Sequence, residues 1–254
     1  MRKPNVFIDS WVMFRRCLTA SLRNPEAFGS AIIVPAGVML LFGLIFGNVM
    51  DVGSYNVIDF IVPGIILQTV AQGATSTAIS VNNDMMKGII DRFRSMPISK
   101  SAVLTGHALA ALVRSMITTA VAIGVAFAIG FRPQAGFLDW LVIAGILILF
   151  MLAITWIAVI SGLTATAPES AGTKIFLLFF LPYISSGFAP IETLPAGIQW
   201  FAQHQPMTPI IDSLRALMLG MPTGNALPLA LLWSLGIIMI TFAIAVQIYK
   251  RKLS

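Results

Sequence analysis

The sequence predicts an all-α integral membrane protein with six transmembrane helices, and two observations carry this prediction. Of the 254 residues, 57% are hydrophobic and 10% are charged, whereas soluble domains are about 25% charged. The apolar residues also occur in runs near the ~20 residues that a helix needs to cross a bilayer. These runs are residues 28–46, 60–79, 103–131, 137–163, 175–188 and 227–249. No polar segment is long enough for a soluble domain, so residues 1–254 are expected to form one membrane domain.

The basic residues predict how the spans are oriented. Thirteen Lys and Arg residues fall at the termini or in the loops after the second and fourth runs, whereas the opposite loops hold Arg132 and Arg215. By the positive-inside rule, both termini lie in the cytoplasm of a multi-pass protein of the plasma or inner membrane. The net charge of +6 therefore indicates contact with anionic lipid headgroups rather than with nucleic acid.

The first 25 residues predict a cytoplasmic interfacial helix. Apolar side chains recur there at helical spacing, at Phe7, Trp11, Phe14, Leu18 and Leu22. A helix with one apolar face lies in the plane of the membrane surface, and Trp11 is suited to headgroup depth. Cys17, the single cysteine, is expected to serve helix packing.

Residues 82–100 predict a second amphipathic helix, between the second and third spans. Its apolar side chains fall within an arc of about 140° at 100° per residue; they are Met85, Met86, Ile89, Ile90, Phe93 and Met96. The opposite face carries Lys87, Asp91 and Arg94, with Arg92 at its margin, and Pro97 ends the helix. Such a helix lies at the lipid surface and offers its polar face to a soluble partner.

Two spans carry polar side chains that need partners. In the second span, Gln68, Gln72 and Thr75 share one helix face. Amides are costly to place in hydrocarbon, so they either bond between helices or line a substrate path. In the third, Arg114 and His107 are expected on a cytoplasmic extension. Arg114 is predicted to form a structural ion pair with a carboxylate, such as Glu169 or Asp84, rather than to bind substrate.

The segment after the fifth run predicts irregular structure at the outer face. Residues 175–188 are too few for a straight crossing, and four prolines follow in residues 189–220. Two short amphipathic pieces are expected, at 191–203 and 210–218, with Asp212 and Arg215 spaced i,i+3. Irregular backbone at membrane depth must be buried in protein or line a cavity. Re-entrant helices that cap a translocation path are therefore predicted, with a packed extracellular hairpin as the alternative.

The chain lacks the motifs of an enzyme or of a self-powered pump. It has no G-x-x-x-x-G-K-[ST] loop for ATP and no clustered metal ligands, so neither catalytic residues nor a metal site are expected. No Asp or Glu lies in the middle of a run, which disfavours an ion-coupled carrier. The energy for any transport is therefore expected from a partner.

Several short motifs, in order along nearly the whole chain, carry a family resemblance. They include Arg23-Asn24-Pro25, Val62-Pro63-Gly64, residues 84–88 and 94–99, Gly130-Phe131-Arg132, residues 181–195 and Pro206-Met207-Thr208. With this order and spacing, the chain resembles the permease subunits of ABC type-2 transporters, particularly the daunorubicin-resistance-like exporters.

The resemblance implies a permease whose transport is powered by separate subunits. It implies a dimer with a second permease copy, identical or related, and two P-loop ATPase subunits that bind ATP and Mg²⁺. The cargo would be an amphiphilic drug, a lipid or a glycoconjugate moved out of the cytoplasm. In the family, the helices that match residues 82–100 and 7–22 contact the ATPases, and the segment after the fifth span forms an extracellular gate.

The resemblance also implies roles for individual residues. The ATPase-coupling candidates are Asp84, Lys87, Asp91, Arg92, Arg94, Pro97 and Arg16. The gate candidates are Phe188, Pro190, Glu192 and Pro195, and the substrate-path candidates remain Gln68, Gln72 and Thr75. Three alternatives stay open: a self-contained secondary carrier, a polysaccharide or ion exporter of the same family, and an assembly factor without cargo.

Overall fold

Helices make up most of the computed structural model, which describes residues 6–23, 25–42, 56–87 and 100–253. No strand occurs within these residues. The α-helices are α1 (Val6–Leu22), α2 (Pro25–Leu41), α3 (Val57–Met86), α4 (Lys100–Ile129), α5 (Phe137–Thr164), α6 (Pro168–Phe176), α7 (Ala196–His204), α8 (Met207–Met218) and α9 (Ala226–Leu253). Two 3₁₀ helices, Leu177–Ile184 and Ile191–Thr193, lie between α6 and α7.

Four of the described helices are long and apolar enough to cross a membrane. They are Val57–Met86, Ala102–Ile129, Phe137–Thr164 and Ala226–Tyr249, and they match the second, third, fourth and sixth predicted runs. The first run falls on α2 and on residues beyond 42, which lie outside the described part of the chain.

The fifth predicted run has a different form from the expected short span. The structure begins α6 at Pro168 and continues it without a break into the 3₁₀ helix Leu177–Ile184. A 3₁₀ helix rises about 2.0 Å per residue and an α-helix 1.5 Å, so the two together are about 30 Å long. The prediction that residues 175–188 are too few for a straight crossing stays a prediction, since this segment is not among the four described helices that are long and apolar enough to cross a membrane.

Helix α3 lies at the centre of the molecule. It packs against α2, α4, α5, α6 and α8, and 78% of its most apolar window is buried, compared with 17% for α9. The fully buried Ile61 and Ile65 of α3 belong to the same core cluster as Ile143 of α5 and Ile210 of α8. A helix of this length spans about 45 Å, so α3 connects both ends of the molecule.

Helix α1 packs lengthwise against α4. A Cβ on Gly106 would lie 2.5 Å from the Cβ of Met13, so this glycine allows the two backbones to approach closely. The face that α4 covers carries Ser10 and Met13, whereas Phe7 and Trp11 are 87% and 63% exposed. The predicted N-terminal helix is present, and part of its apolar stripe stays uncovered.

The predicted helix over residues 82–100 does not begin at residue 82. Residues 82–86 form the last turn of α3, which ends at Met86 with Lys87 as its C-cap. Residues 88–99 lie outside the described part of the chain, and Lys100 opens α4. Residues 82–86 are polar or follow the amphipathic pattern and contain one charged side chain, Asp84, yet Asn82 and Asp84 are buried in the continuing α3.

Candidate functional site

A cluster of polar side chains joins α1, α3 and α4 near the end of α3. The carboxylate of Asp84 accepts two hydrogen bonds from the guanidinium of Arg16, at 2.8 and 3.0 Å. Nε2 of His107 lies 3.1 Å from the same carboxylate. Bidentate pairs of arginine and carboxylate fix geometry as well as adding energy. The cluster thus joins α1, α3 and α4 close to the C-terminal end of α3.

The burial of the cluster strengthens these contacts. The side chains of His107 and Asp84 are 4% and 12% exposed, while that of Arg16 is 40% exposed. The hydrogen bond from Arg16 to Asp84 raises the pKa of Arg16, so the arginine remains charged. One end of the cluster is therefore dry, and the other end faces the surface of α1.

The geometry of the cluster favours hydrogen bonding over metal binding. Cys17, Asp84 and His107 place ligand atoms within 4.8 Å of one another. However, Nε2 of His107 faces Asp84, while Nδ1 lies 3.7 Å from the Cys17 sulfur. Opposite ring nitrogens cannot bind one ion together, and Arg16 occupies both oxygens of Asp84.

Among the predicted coupling residues, the structure brings Asp84 and Arg16 together. Lys87 follows on the same end of α3 and is exposed. The other four, Asp91, Arg92, Arg94 and Pro97, lie outside the described residues. Sequence reasoning did not identify His107 as a partner of Asp84, because no local spacing relates positions on two different helices.

The partners of Arg114 differ from the prediction. Its guanidinium donates to Ser21 Oγ at 3.1 Å, to the Gly73 carbonyl at 2.8 Å and to Thr77 Oγ1. The expected pairing with Asp84 or Glu169 is wrong, since Asp84 is taken by Arg16 and His107 and Glu169 is exposed on α6. The buried Arg114 is thus held by neutral acceptors.

The three substrate-path candidates lie in the middle of α3. Gln68 is buried, and its Nε2 donates to the hydroxyl of Tyr183 at 2.6 Å. Gln72 is half-buried and its Oε1 has no hydrogen-bond partner, while Thr75 lies beside Gly172 of α6. Tyr183 was missed, although a tyrosine in an apolar run is itself a signal that its hydroxyl needs a partner.

Arg215 of α8 organises the opposite end of α3. Its guanidinium donates to the carbonyls of Phe60 and Ser186 and to Asp212, the last at 2.9 Å, and it lies 3.9 Å from the centre of the Phe60 ring. Burial lowers the pKa of Arg215 to about 10, so the group stays charged at neutral pH. The i,i+3 pair predicted from sequence is present.

The gate candidates occupy different environments. Phe188 is buried and its ring stacks on Tyr183, with centroids 4.4 Å apart. Pro190 is half-buried, and its carbonyl accepts the Thr193 amide. Glu192 and Pro195 are exposed. Helix α8 is buried along nearly its whole length, so it is a core element rather than a surface piece.

An Asp84→Asn substitution is expected to loosen α1. Hydrogen bonds to charged groups contribute about 1.5–3 kcal/mol, and partial exposure of Arg16 reduces this, so we expect a loss of about 1–2 kcal/mol. Cys17 should then react with maleimide about 5- to 30-fold faster in the purified protein. Asp59→Asn, near the start of the same helix, is the control because within the described residues Asp59 accepts one hydrogen bond, from the Arg132 amide. Equal labelling rates would contradict the anchoring role of Asp84.

The fold and the cluster define a multi-helix membrane protein in which buried polar groups join helices. The family model for the ABC-2 type transporter matches residues 9–219, and the chain belongs to this family. This result confirms the resemblance found in the motifs. It identifies the chain as a transporter subunit, and not as an enzyme.

The relatives carry permease names. The chain is 28% identical over 238 residues to the daunorubicin resistance ABC transporter permease protein DrrB1 of Streptomyces coeruleorubidus, covering 93% of this chain and 84% of the relative. It is also 28% identical over 250 residues to the probable doxorubicin resistance ABC transporter permease protein DrrC of Mycobacterium tuberculosis, at 94% and 87% coverage. The inner membrane transport permease YadH of Escherichia coli is 23% identical over 209 residues, with 78% of each chain covered.

Proposed function

We propose that this chain is the permease subunit of an ATP-driven exporter, powered by two separate ATPase subunits on its cytoplasmic side. The observation that carries the proposal is the ABC-2 family match over residues 9–219. In this proposal ATP and Mg²⁺ bind to the ATPase partners and not to this chain. Both termini are cytoplasmic and the chain crosses the membrane six times, with α2 contributing to the first crossing and α6 with its 3₁₀ extension forming the fifth.

The structure supports a direct route for force from the ATPase side. Residues 88–99, the proposed coupling segment, follow the end of α3, where Asp84 ties that helix to α1 and α4. At the other end, α3 contacts residues 185–220, which we call the outer segment, through Gly64 and Gly187 and through Phe60 and Arg215. A close-packed interior has low compressibility and transmits strain. A push at residues 88–99 would therefore reach the outer segment.

The proposed cargo path runs along the polar face of α3. Gln68 and Gln72 would offer amide groups there, and Tyr183 and Phe188 would offer stacked rings. This pairing of a few polar groups with aromatic surface is typical of sites for amphiphilic ligands. An amphiphilic drug, as the names of the relatives indicate for those proteins, fits it better than an inorganic ion. Lipids and glycoconjugates share the same chemistry.

The proposed assembly includes a second permease copy. Only 17% of the apolar window of α9 and 33% of that of α4 are buried within one chain. In a membrane these faces contact either lipid or another copy, whether identical or a related permease.

Charge reversal at Arg92 and Arg94 tests the coupling proposal. Loss of a buried interfacial charge pair costs about 2–5 kcal/mol, so the Arg92→Glu, Arg94→Glu double variant should lose cargo-stimulated ATPase activity by at least about tenfold. The measurement is ATP hydrolysis by the permease reconstituted with its ATPase in liposomes. Lys174→Glu, an exposed lysine on the same predicted side, is the matched control.

Two results would contradict the proposal. Unchanged stimulation in the double variant, with normal insertion, would remove the coupling role of these arginines. Flux driven by an ion gradient through the purified chain alone, without any ATPase, would favour the secondary carrier instead.

A further inference from the structure

A cavity of about 430 Å³ lies between α1, α3 and α4, beside the Asp84 cluster. Small-molecule sites commonly measure about 300–1,000 Å³, so the cavity is large enough to hold a ligand. Arg16, Lys87, His107 and Arg114 contribute to its wall. Asp84 is the one carboxylate that the described residues place there.

The cations of the cavity exceed its anions. Arg16 and Asp84 neutralise each other through their bidentate contact. Lys87 and Arg114 then remain, and in the part of the chain that the structure describes no carboxylate forms an ion pair with either. Arg114 is 9% exposed, all of its acceptors are neutral, and its Nε has no hydrogen-bond partner. A buried charge without a counter-ion is unfavourable, so the cavity is electrostatically suited to an anion.

Hydroxyl groups of α3 add neutral donors to the same wall. Ser76 and Ser80 are one helical turn apart and both line the cavity, and neither is fully buried. Cations combined with hydroxyl donors are the groups that recognise the oxygens of a phosphate. Basic pockets between membrane helices on the cytoplasmic side are also a recognised form of headgroup site.

The exposed side of α1 carries further basic side chains next to the cavity. A second concavity of about 540 Å³ there is lined by Trp11, Arg15, Arg16 and Arg23, among others. It shares Arg16 with the first cavity. Trp11 is exposed beside these arginines, as expected of a side chain at headgroup depth.

We propose that the cavity between α1, α3 and α4 binds an anionic phosphate group, with Lys87 and Arg114 as its cations and Ser76 and Ser80 as hydroxyl donors. The group comes either from a phospholipid headgroup of the cytoplasmic leaflet or from a soluble phosphate compound. A bound phosphate would join α3 to α4 through these groups, and it would lie against the part of α1 that contributes Arg16 and Ser21 to the cavity wall.

The test uses the purified full-length protein in neutral detergent, without an ATPase. The probes are dioleoyl phosphatidylglycerol, dioleoyl phosphatidylcholine and inorganic phosphate. Native mass spectrometry measures bound lipid, and thermal unfolding measures stabilisation by each probe. We expect at least about fivefold more phosphatidylglycerol than phosphatidylcholine on the wild type, and a several-fold loss of this preference in Lys87→Gln and Arg114→Gln.

The variants keep the test decisive. Lys87 is exposed at a helix end, so we expect Lys87→Gln to fold and to give a lipid-binding measurement even if Arg114→Gln does not fold. Lys174→Gln is the matched control, and it should bind lipid as the wild type does. Selective retention of phosphatidylglycerol identifies the headgroup as the source. Stabilisation by inorganic phosphate alone, lost in Lys87→Gln, identifies a soluble phosphate. Equal retention of both lipids with no effect of phosphate, or identical binding by Lys87→Gln and Lys174→Gln, overturns the proposal.

Discussion

Replacing Arg215 with methionine is expected to lower the free energy of unfolding by about 3–5 kcal/mol. The substitution removes the guanidinium that donates to the carbonyls of Phe60 and Ser186, and it leaves Asp212 without its cation. It also removes the contact between the guanidinium and the Phe60 ring. The measurement is denaturant unfolding of the purified protein in detergent micelles, followed by tryptophan fluorescence.

The control for Arg215 is Arg132→Met. Arg132 is exposed, and its side chain donates to two carbonyls of its own segment, those of Phe127 and Phe131. A loss of less than about 1 kcal/mol is expected, as for exposed polar contacts. Asp212→Asn should fall between the two, because the Asp212 side chain is 37% exposed. Similar stabilities for the two arginine variants would show that Arg215 does not hold α8 to α3.

A Gly64→Ala substitution is expected to cost about 3 kcal/mol, at the upper end of the range for overpacking. A Cβ on Gly64 would lie 2.8 Å from the carbonyl oxygen of Gly187 and 2.9 Å from its Cα. Backbone atoms cannot move aside as the end of a side chain can, so α3 and the outer segment must separate. The same variant should reduce cargo export in the reconstituted complex, because this contact links α3 to the proposed gate.

The control for Gly64 lies on the same helix. Among the described residues, a Cβ on Gly73 would meet the Ser115 Oγ alone within 4 Å, at 3.6 Å, which is an ordinary contact. Since alanine favours a helix over glycine by about 0.8–1 kcal/mol, Gly73→Ala should be neutral or slightly stabilising. Both variants are measured by unfolding in the same detergent. An equal effect of the two substitutions would refute the close approach at Gly64.

Local sequence patterns predicted the features that depend on residues close together in the chain, namely the apolar spans and the pair of Asp212 and Arg215. Apolar runs gave the spans that α3, α4, α5 and α9 confirm, because crossing hydrocarbon requires an uninterrupted apolar length. The i,i+3 spacing predicted the pair of Asp212 and Arg215, since such residues share a helix face. The start of the coupling helix at residue 82 was misplaced, because charged residues at the end of a long buried helix look like those of a surface helix.

Partners on other helices could not be predicted. Arg114 was expected to find a carboxylate, yet it bonds to hydroxyl and carbonyl oxygens of α1 and α3. Arg215 donates to the backbone carbonyl of Phe60, which is 155 residues away in sequence. Hydrogen-bond partners on different helices depend on how the helices are rotated and how closely they approach. Rotating one helix would change all of its side-chain contacts with its neighbours.

The sequence by itself determined that this protein is helical, has several membrane-length apolar segments and contains no G-x-x-x-x-G-K-[ST] motif. Each of these follows from composition, run length or a local motif. Only the tertiary structure decided that Asp84 binds Arg16 and His107, that α8 is buried, and that α1, α3 and α4 enclose a basic cavity. These features depend on distances between helices, which are set by packing over the whole chain and leave no local signature in the order of residues.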